Sequence, residues 1–318
     1  MKELVASGYK VVIFTNQTAA SKNKQLLNEL LDKFKKIQSV VGIPMQYVVA
    51  TKQDQYAKPS TALWELFVGK YNGNSAIDKT NSFFVGDAAG RTKNGKKDFS
   101  CSDRKFAYNI GLTFYTETEY FMKVEKEPFS WDGFDADGAV KLEKSKQEIQ
   151  QELKHLRLAE KQEMIIMCGP PASGKSSFTK LMLVPKGYVA INRDTLGNME
   201  KCLALARSSL ESGLSVVIDN TNPKPASREA FIKIAKERGI PVRSFVMQAN
   251  DLLTHHLNLL RVRMTNGKVS KIPDLVYRVF KKQWVFPAKS EGIDEILSIP
   301  FIPNFEDEQH RNLFKEFA

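Results

Sequence analysis

The sequence predicts an α/β protein of two domains, each built on a mainly parallel β-sheet. Short apolar runs alternate with longer polar stretches of helical pattern, as strands and crossover helices do in such sheets. The chain has 318 residues, of which 42% are hydrophobic and 26% are charged, and this is enough for two cores of ordinary size. A charged, Gln-rich stretch interrupts the alternation once, so the domain boundary is expected there.

The first domain is expected over residues 1–140. Short apolar runs predict its strands, and polar stretches with an apolar face predict its helices. The expected strands are 11–14, 47–50 and 83–85, and the expected helices are 21–38 and 60–70. This order of strand, helix and strand is the α/β rhythm that predicts the fold class.

The second domain is expected over residues 163–318, after a linker helix at 141–162. Four aliphatic residues between 142 and 156 recur at helical spacing among charged residues, which predicts one amphipathic helix in the linker. Beyond it the alternation resumes, with expected strands at 164–167, 188–191, 216–218 and 242–246. Parallel strands place functional loops at their carboxyl ends, so the site is expected at that edge of the sheet.

The composition excludes several classes of protein. The three cysteines and four histidines lack the paired spacing of a disulfide framework or a zinc site, which predicts a reducing compartment. No apolar run reaches the roughly 18 residues of a membrane span, and the first residues lack a signal-peptide core, so a soluble intracellular protein is expected. A net charge of +11 and a pI near 9.3 favour polyanions, nucleic acid above all, although anionic membrane surfaces would also be attracted.

The most informative motif is the run Gly169-Pro-Pro-Ala-Ser-Gly-Lys-Ser176, which fits the phosphate-binding pattern GxxxxGK(S/T) after an apolar strand. Its glycines let backbone N–H groups surround a polyphosphate, Lys175 reaches the outer phosphates, and the Ser176 hydroxyl holds Mg²⁺. ATP contacts are expected from Gly169, Pro170, Ala172, Ser173, Gly174, Lys175, Ser176 and Ser177. A chance Gly-rich turn and a nucleotide-dependent switch or ATPase are the alternatives, because the loop does not identify the acceptor.

Two acidic residues follow strands downstream of this loop. Asp194, in the run Asn192-Arg-Asp-Thr-Leu-Gly197, is placed to take the proton of a hydroxyl acceptor, so it is the candidate general base. Alternatively, Asp194 caps a helix that starts at Thr195. Asp219 ends an apolar run and is expected to support Mg²⁺ or to position a neighbouring group, unless it only stiffens its loop through a hydrogen bond.

Residues 261–289 combine basic and aromatic side chains. Eight lysines and arginines accompany a single acidic residue in this stretch. The aromatic residues among them are Tyr277, Phe280, Trp284 and Phe286. Arginines there would stabilise the charge that develops in phosphoryl transfer, and the mixture suits a nucleic-acid strand. A solvated helix face with buried aromatic rings is the alternative.

Several of these segments resemble, in the same order, the kinase domain of the eukaryotic polynucleotide kinase 3′-phosphatase family. The segments that carry the resemblance are Gly169–Ser176, Asn192–Gly197, Ile218–Pro223 and Glu291–Phe301. The resemblance implies phosphorylation of the 5′-hydroxyl of DNA with ATP and Mg²⁺ as cofactors. In this reading the P-loop kinase domain has a parallel sheet, Lys175 is the catalytic cation and Asp194 is the base.

The same resemblance implies roles for five further residues of the second domain. Arg193, Asp219 and Arg228 are expected near the acceptor strand or its support. Arg261 or Arg263 is expected on a lid over the phosphates of ATP, where a cation stabilises the transferred group.

The first domain resembles the phosphatase half of the family, which has the haloacid dehalogenase fold. The matching segments are Gly8–Gln17, Ala57–Pro59, Phe84–Arg91 and Lys97–Arg104. The implied phosphate ligands are Thr15, Asn16 and Lys58, and the implied Mg²⁺ ligand and its supports are Asp87, Asp98 and Asp103. Cations and a hydroxyl or amide donor around the phosphate oxygens suit a phosphoryl group that leaves an alkoxide.

The family also begins this chemistry with an aspartate nucleophile in an Asp-x-Asp-Gly-Thr turn, on a strand that precedes the others. No such strand precedes residue 11, so the domain is expected to be incomplete, with its first strand in a longer form of the protein, and its phosphatase inactive in this chain. The letters of Asp135-Ala-Asp137-Gly138 fit the motif, but no apolar run leads into them, and a linker turn is expected there.

The resulting hypothesis is a DNA end-processing enzyme: a 5′-hydroxyl kinase, coupled in the longer form to removal of 3′-phosphates during strand-break repair. The resemblance implies a nuclear monomer that acts on DNA with 5′-hydroxyl and 3′-phosphate ends, together with other repair proteins and away from membranes. Two alternatives stay open: a non-catalytic nucleic-acid-binding module, and a small-molecule P-loop kinase. A small-molecule kinase would have no evident use for the basic and aromatic segment.

Overall fold

The computed structural model describes residues 1–93 and 95–317 and divides the chain into two compact units. The first unit comprises residues 1–136, 259–270 and the chain from residue 312 on, and the second comprises 137–258 and 271–311. The main division therefore falls close to the expected boundary at residue 140. The sequence did not predict that two later segments of the chain belong to the first unit.

The first unit contains two parallel strand pairs with helices around them. Its elements are α1 (Lys2–Ala6), β1 (Val12–Asn16), α2 (Lys24–Val41), β2 (Gln46–Ala50), α3 (Ala62–Leu66), β3 (Phe83–Gly86), β4 (Thr92–Lys93), β5 (Lys96–Lys97), α4 (Ser102–Ile110), β6 (Thr113–Thr116) and α5 (Glu117–Met122). β1 pairs with β2 and β3 pairs with β6, both in parallel, and β4 and β5 form a short antiparallel pair. The strands and helices predicted for this domain are present.

Helix α4 packs across both parallel pairs and joins them into one core. The Phe106 ring of α4 lies 5.5 Å from the ring of Phe14 on β1 and 5.5 Å from the ring of Phe84 on β3. The sequence did not predict this helix, because three charged residues in its first half are buried and hide its apolar face. A hydrophobic pattern identifies a helix only when charged residues mark the solvent side.

Arg263 holds the segment 259–270 in the first unit. Its guanidinium donates to the Thr61 hydroxyl at 2.7 Å and to a Glu65 carboxylate oxygen at 2.7 Å, and it lies 3.3 Å from a carboxylate oxygen of Glu316. Burial raises the pKa of Glu316, although the charge of Arg263 opposes this shift. A buried arginine needs such partners, because an unpaired charge away from water is costly.

The end of the chain is held in the first unit by aromatic packing. The Phe317 ring stacks on the Trp131 ring, with centroids 4.7 Å apart and planes 5° from parallel, and it contacts Tyr108 edge to face. The Asn109 side chain completes the attachment, because it accepts from the Phe317 backbone N–H at 2.8 Å and donates to the Phe317 carbonyl at 3.1 Å. The unit is therefore built from three separate stretches of chain.

The second unit is built on one five-stranded sheet. Its elements are α6 (Ala136–Val140), α7 (Lys146–Glu152), β7 (Met164–Cys168), α8 (Lys175–Phe178), β8 (Val189–Ile191), α9 (Arg193–Leu196), α10 (Met199–Glu211), β9 (Val216–Ile218), α11 (Pro225–Lys236), β10 (Val242–Gln248), α12 (Asp251–Met264), α13 (Asp274–Gln283), β11 (Glu295–Pro300) and α14 (Glu308–Lys315). Three of the four divisions between the units fall inside α6, α12 and α14, and the fourth falls between α12 and α13.

All five strands are parallel, in the order β11-β10-β7-β9-β8. The central strand β7 is buried along its whole length, and helices cover both of its faces, so its residues form a continuous apolar run. The four predicted strands are confirmed. β11 was not predicted, because Glu295 and Ser298 interrupt its apolar pattern at the edge of the sheet.

The predicted linker helix is wrong in its extent and its role. Only α7 and a following 3₁₀ turn, Leu153–Leu156, are helical between residues 141 and 162. Their apolar residues, Ile149, Leu153 and Leu156, are buried in the core of the second unit together with residues of β7 and β10. The helical spacing was correct, but the apolar face belongs to a domain core. Among the described residues, no helix is long and apolar enough to cross a membrane.

Candidate functional site

The phosphate loop joins β7 to α8 at the carboxyl edge of the sheet. Gly169 and Gly174 have φ angles of 147° and 90°, and Ala172 between them also has a positive φ of 54°. A Cβ at residue 169 would lie 3.1 Å from the Cβ of Met247, so a larger residue would crowd the loop. These backbone conformations turn successive N–H groups toward one side, which is the arrangement that binds phosphate.

Lys175 is folded back into this loop. Its ammonium group donates to the carbonyls of Gly169 at 3.0 Å and Pro170 at 2.6 Å and to the hydroxyl of Ser173 at 3.2 Å. Burial lowers the pKa of Lys175 to about 8, against the opposing charge of Asp219. A bound phosphate would provide the stronger negative charge that the Lys175 ammonium group lacks. The next two residues, Ser176 and Ser177, are exposed.

Asp219 and Asn192 lie at the ends of neighbouring strands. The Asn192 amide donates to the Asp219 backbone carbonyl at 2.5 Å, and the Asp219 N–H donates to the Ile191 carbonyl at 2.8 Å. Asp219 is buried, and its Oδ1 atom has no hydrogen-bond partner among the described residues. A buried carboxylate oxygen without a hydrogen-bond partner is suited to bind a cation. Mg²⁺ prefers oxygen ligands of this kind, so Asp219 could serve as one of its ligands.

Asp194 is not the cap of its helix. Asn192 is the N-cap of α9, and its side-chain oxygen accepts from the N–H groups of Asp194 at 2.8 Å and Thr195 at 3.3 Å. Asp194 is the second residue of α9, and its exposed side chain forms no hydrogen bond or ion pair among the described residues. The alternative that Asp194 caps the helix is therefore wrong, and the carboxylate remains available for another role.

Arg193 and Arg228 occupy different environments. The Arg193 side chain is exposed beside Asp194, and its N–H donates to the Asn220 side-chain oxygen at 3.0 Å. Arg228 is completely buried, and it forms a bidentate pair with Glu291 through distances of 2.8 and 2.7 Å. The geometry therefore agrees with a supporting position for Arg228, whereas Arg193 is accessible to an acceptor.

The two candidate lid arginines make their contacts with other residues of the first unit. Arg263 is buried with Glu65 and Glu316, and Arg261 donates to the Ser270 carbonyl at 3.0 Å. Both residues belong to the segment that lies in the first unit. The lid assignment came from the resemblance alone, and the local sequence could not reveal that Glu65 of α3 and Glu316, just after α14, bind Arg263.

The basic and aromatic segment divides into buried and exposed parts. Tyr277 is buried, and its ring stacks on His255 at 4.4 Å, while Trp284 packs against the core of the second unit. Phe286 and the cations Arg278 and Lys282 are exposed. Tyr277 and Trp284 therefore pack as expected for a solvated helix face with buried aromatic rings, whereas Phe286 does not. The exposed cations of the segment can still attract a polyanion.

A second group of predicted residues comes together in the first unit. Asn16, at the end of β1, accepts from the Lys58 N–H at 2.9 Å and donates to the Lys58 carbonyl at 3.0 Å. The Lys58 ammonium group is buried and donates to Asp103 at 2.6 Å and to the Phe14 carbonyl at 2.8 Å. The structure therefore joins three of the implied phosphatase residues in one hydrogen-bonded cluster.

The other implied phosphatase residues lie around this cluster. Thr15 accepts from the Gln17 amide at 2.9 Å, and Asp87 is exposed in the loop after β3. Asp98 is paired with the buried Arg91 instead, at 2.9 Å. The run 135–138 lies at the start of the short helix α6, and no strand directly precedes it. It therefore does not form the strand-end turn of the nucleophile motif. It is the start of a helix and not the expected linker turn.

Sequence reasoning missed three residues at the edge of the phosphate loop. Asn192 is the helix cap, Asn222 is buried with a positive φ of 44°, and Glu291 is the partner of Arg228. Two asparagines in the run 219–223 were the available signal, because asparagine is the residue other than glycine that most readily adopts positive φ. Nothing in the sequence pairs residue 228 with residue 291.

The lowered pKa of Lys175 predicts a pH dependence of nucleotide binding. With a pKa of about 8 in the free protein, Lys175 loses its proton as pH rises above 8, whereas bound phosphates would raise this pKa again. Nucleotide affinity should therefore fall by up to about tenfold per pH unit above pH 8, with uptake of one proton on binding. Calorimetry of ADP binding at pH 8.5 in buffers of different ionisation enthalpy measures this uptake, and equal apparent enthalpies in all buffers would contradict the prediction.

Family models match both halves of the chain. The model described as polynucleotide kinase 3 phosphatase matches residues 1–121, and the model described as an AAA domain matches residues 164–283. The first match contains the cluster of Asn16, Lys58 and Asp103, and the second contains the phosphate loop, Asp194 and Asp219. The matches therefore fall on the two groups of residues that the structure brings together.

Known proteins are similar to the chain over nearly its whole length. A protein of Acanthamoeba polyphaga mimivirus, described as a bifunctional polynucleotide phosphatase/kinase, is 34% identical over 350 residues, which cover 99% of this chain and 82% of that protein. The bifunctional polynucleotide phosphatase/kinase of Schizosaccharomyces pombe is 31% identical over 309 residues, which cover 96% of this chain and 72% of that protein. Among solved structures, a fungal RNA kinase is similar to 48% of this chain and 41% of its own, with 15% identity and a TM-score of 0.36.

Proposed function

Because the chain belongs to the family of bifunctional polynucleotide phosphatase/kinases, we propose that it transfers the γ-phosphoryl group of ATP to the 5′-hydroxyl of a DNA end. The observation that carries this proposal is the exposed carboxylate of Asp194, which does not cap its helix and lies in α9, directly after β8, at the same sheet edge as the phosphate loop. A binding module would need the phosphate loop but would have no use for such a carboxylate.

The reaction assigns one task to each group. The phosphate loop surrounds the polyphosphate with N–H groups, and Lys175 leaves the carbonyls of residues 169 and 170 to contact the outer phosphates. Asp194 accepts the proton of the 5′-hydroxyl as its oxygen attacks the γ-phosphorus, and ADP leaves. Arg193, exposed beside Asp194, is placed to bind a phosphate of the acceptor strand.

We include Mg²⁺ in the proposal, because two oxygen donors at the site fit it. The Ser176 hydroxyl is exposed at the start of α8, and Asp219 has the unpaired oxygen described above. The ion would supply charge neutralisation at the phosphates. The remaining work of alignment falls to the phosphate loop and to Asp194.

A polynucleotide acceptor accounts for features that a small-molecule kinase would leave unused. The net charge of +11 attracts a polyanion over long range, and the exposed Arg278 and Lys282 add local positive charge. The relatives are described as acting on polynucleotides. We extend the proposal to DNA rather than RNA, to strand-break repair and to a nuclear location; fractionation of cells and comparison of DNA and RNA oligonucleotides test these extensions.

The first unit supports the second activity of the family only in part. Asn16, Lys58 and Asp103 form a cluster with a buried cation that suits a phosphate oxygen. Removal of a 3′-phosphate through an aspartyl-phosphate also requires an aspartate nucleophile, and the described residues of this cluster present no Asp-x-Asp pair at the end of a strand. For this chain we therefore propose kinase activity with 3′-phosphates left in place.

The experiment that tests the proposal supplies the chain with labelled ATP, Mg²⁺ and two DNA oligonucleotides. One oligonucleotide ends in a 5′-hydroxyl and the other in a 3′-phosphate, and a free nucleoside serves as the small-molecule acceptor. We expect label on the 5′-hydroxyl oligonucleotide, an intact 3′-phosphate and little label on the nucleoside. Preferred labelling of the nucleoside would favour a small-molecule kinase, and nucleotide binding without any transfer would favour a binding module.

A further inference from the structure

Asn222 lies between the phosphate loop and the Asp219 loop, and no role has been assigned to it above. Its side chain is almost completely buried, at 2% exposure, and its backbone has a positive φ of 44°. The side-chain amide donates to the carbonyl of Met167 at 2.7 Å, and it lies 3.4 Å from the carbonyls of Ile218 and Asn220. One amide therefore contacts the backbone on both sides of the site.

The hydrogen bond from the Asn222 amide to Met167 lies directly beyond the last paired residues of β7 and β9. The last paired residues of β7 and β9 are Ile166 and Ile218, and the two chains then separate toward their loops. Beyond that point, the Asn222 amide bonds to the carbonyl of residue 167, and the Gly169 N–H donates to the Thr221 carbonyl at 3.2 Å. These two hydrogen bonds join the phosphate loop to the Asp219 loop in place of a further pair of the ladder.

A buried ion pair fixes the other side of Asn222. Its backbone carbonyl accepts from Arg228 at 2.9 Å, and Arg228 is held by two hydrogen bonds to Glu291. Burial would raise the pKa of the Glu291 carboxyl, but its hydrogen bonds and the charge of Arg228 hold that pKa below its usual value. The backbone of residue 222 is thus constrained by its side chain, by its carbonyl and by its left-handed conformation.

We infer that Asn222 is a positioning residue for phosphoryl transfer, which fixes the phosphate loop and the Asp219 loop at the distance that aligns the γ-phosphate with its acceptor. It acts through backbone carbonyls and does not touch the reacting atoms. Its loss should therefore affect the rate of transfer more than the binding of ATP, because the phosphate loop itself keeps its N–H groups. This inference rests on the proposed kinase function.

The test compares Asn222→Gly with Gln162→Ala as a matched control. Glycine adopts the positive φ of residue 222 without strain, so this variant removes only the side-chain amide. Gln162 also uses a side-chain amide to bind two carbonyls, those of Leu210 at 2.8 Å and Leu214 at 3.1 Å, but it precedes β7 at the amino edge of the sheet. Both variants lose similar hydrogen bonds, and only one of them borders the site.

The measurements are single-turnover transfer to a 5′-hydroxyl oligonucleotide, the Kd of ATP and the unfolding temperature. For Asn222→Gly we expect transfer slowed by about 100-fold with the Kd of ATP changed less than about threefold, since a misplacement of about 1 Å can cost that much in rate. For Gln162→Ala we expect a lower unfolding temperature and the wild-type transfer rate.

The outcomes separate this inference from the proposed function. A wild-type chain that transfers no phosphate refutes the proposed kinase function. If the wild type transfers and Asn222→Gly transfers at the same rate, or if its rate and its ATP affinity fall in equal proportion, Asn222 is not a positioning residue. Equal slowing in both variants would attribute the effect to general loss of stability and would also overturn the inference.

Discussion

Replacement of Asp194 by Asn slows phosphorylation of a 5′-hydroxyl by about 10²- to 10⁴-fold, the range typical for loss of a general base. The physical reason is that an amide cannot accept the proton of the hydroxyl as the bond to phosphorus forms. The Asp194 side chain forms no hydrogen bond or ion pair within the described residues and is not the cap of α9, so its replacement leaves the fold intact. The expected result is a folded protein that binds ATP and does not phosphorylate DNA.

The rate of label transfer, the Kd of ATP and the unfolding temperature measure this expectation together. Glu200→Gln is the matched control, because Glu200 is an exposed acid in the first turn of the next helix, α10, and its replacement changes the net charge equally. Transfer by Asp194→Asn within threefold of wild type would refute the base assignment. A parallel loss in the Glu200 variant would also refute it, because removal of an acidic charge strengthens the attraction of DNA and cannot itself slow transfer in this way.

Replacement of Lys175 by Met slows transfer strongly and yet does not destabilise the protein at pH 7. The loss of the cation should slow transfer by about 10²- to 10³-fold, as expected for one preorganised group that binds the transferred charge. At the same time, the variant removes a buried ammonium group whose pKa burial has lowered to about 8. The fold bears the cost of that desolvated charge at neutral pH, and methionine does not.

The sign of the pH dependence follows from the same shift. The Lys175 pKa is lower in the folded protein than in the unfolded chain, so the unfolded chain binds more protons between about pH 8 and 10.5. Wild-type stability gains from this group as pH rises through that window, and any stability advantage of Lys175→Met should shrink between pH 7 and pH 9.5. Thermal unfolding at both values measures it.

The matched control for this second prediction is Lys180→Met. Lys180 is an exposed lysine two residues beyond the end of α8, so the control removes the same charge from solvent. It should retain transfer and show no such change of stability with pH. A Lys175 variant that unfolds well below wild type at pH 7 would show that the hydrogen bonds to Gly169, Pro170 and Ser173 outweigh the desolvation of the charge.

The sequence predicted those parts of the fold and site in which local pattern and tertiary position agree. The central strands of the second unit are buried on both faces, so each appears as an apolar run, and the phosphate loop follows one of them. Asp194 and Asp219 could be placed at the same edge because parallel strands end together. The residue types alone were sufficient for these assignments.

The remaining features depend on contacts between residues far apart in the chain. Arg263 resembled a lid residue by its position, but its partners Glu65 and Glu316 are separated from it by long stretches of sequence. Capping by Asp194 stayed open as an alternative, because asparagine and aspartate are equally good caps and only the backbone shows which one precedes the helix. Likewise, the apolar face of α7 looked like that of a linker until its packing in the core was seen.

The chain passes between the two units four times, since the first unit takes its residues from the beginning, the later part and the end of the sequence. A gene divided at the apparent boundary near codon 140 would therefore encode two defective products. The product of the first part would lack Arg263, the partner of Glu65, and Phe317, the partner of Trp131. The product of the second part would carry Arg263 and Phe317 without these partners. Each half of this chain, produced alone, is therefore expected to be less stable than the corresponding unit in the whole chain.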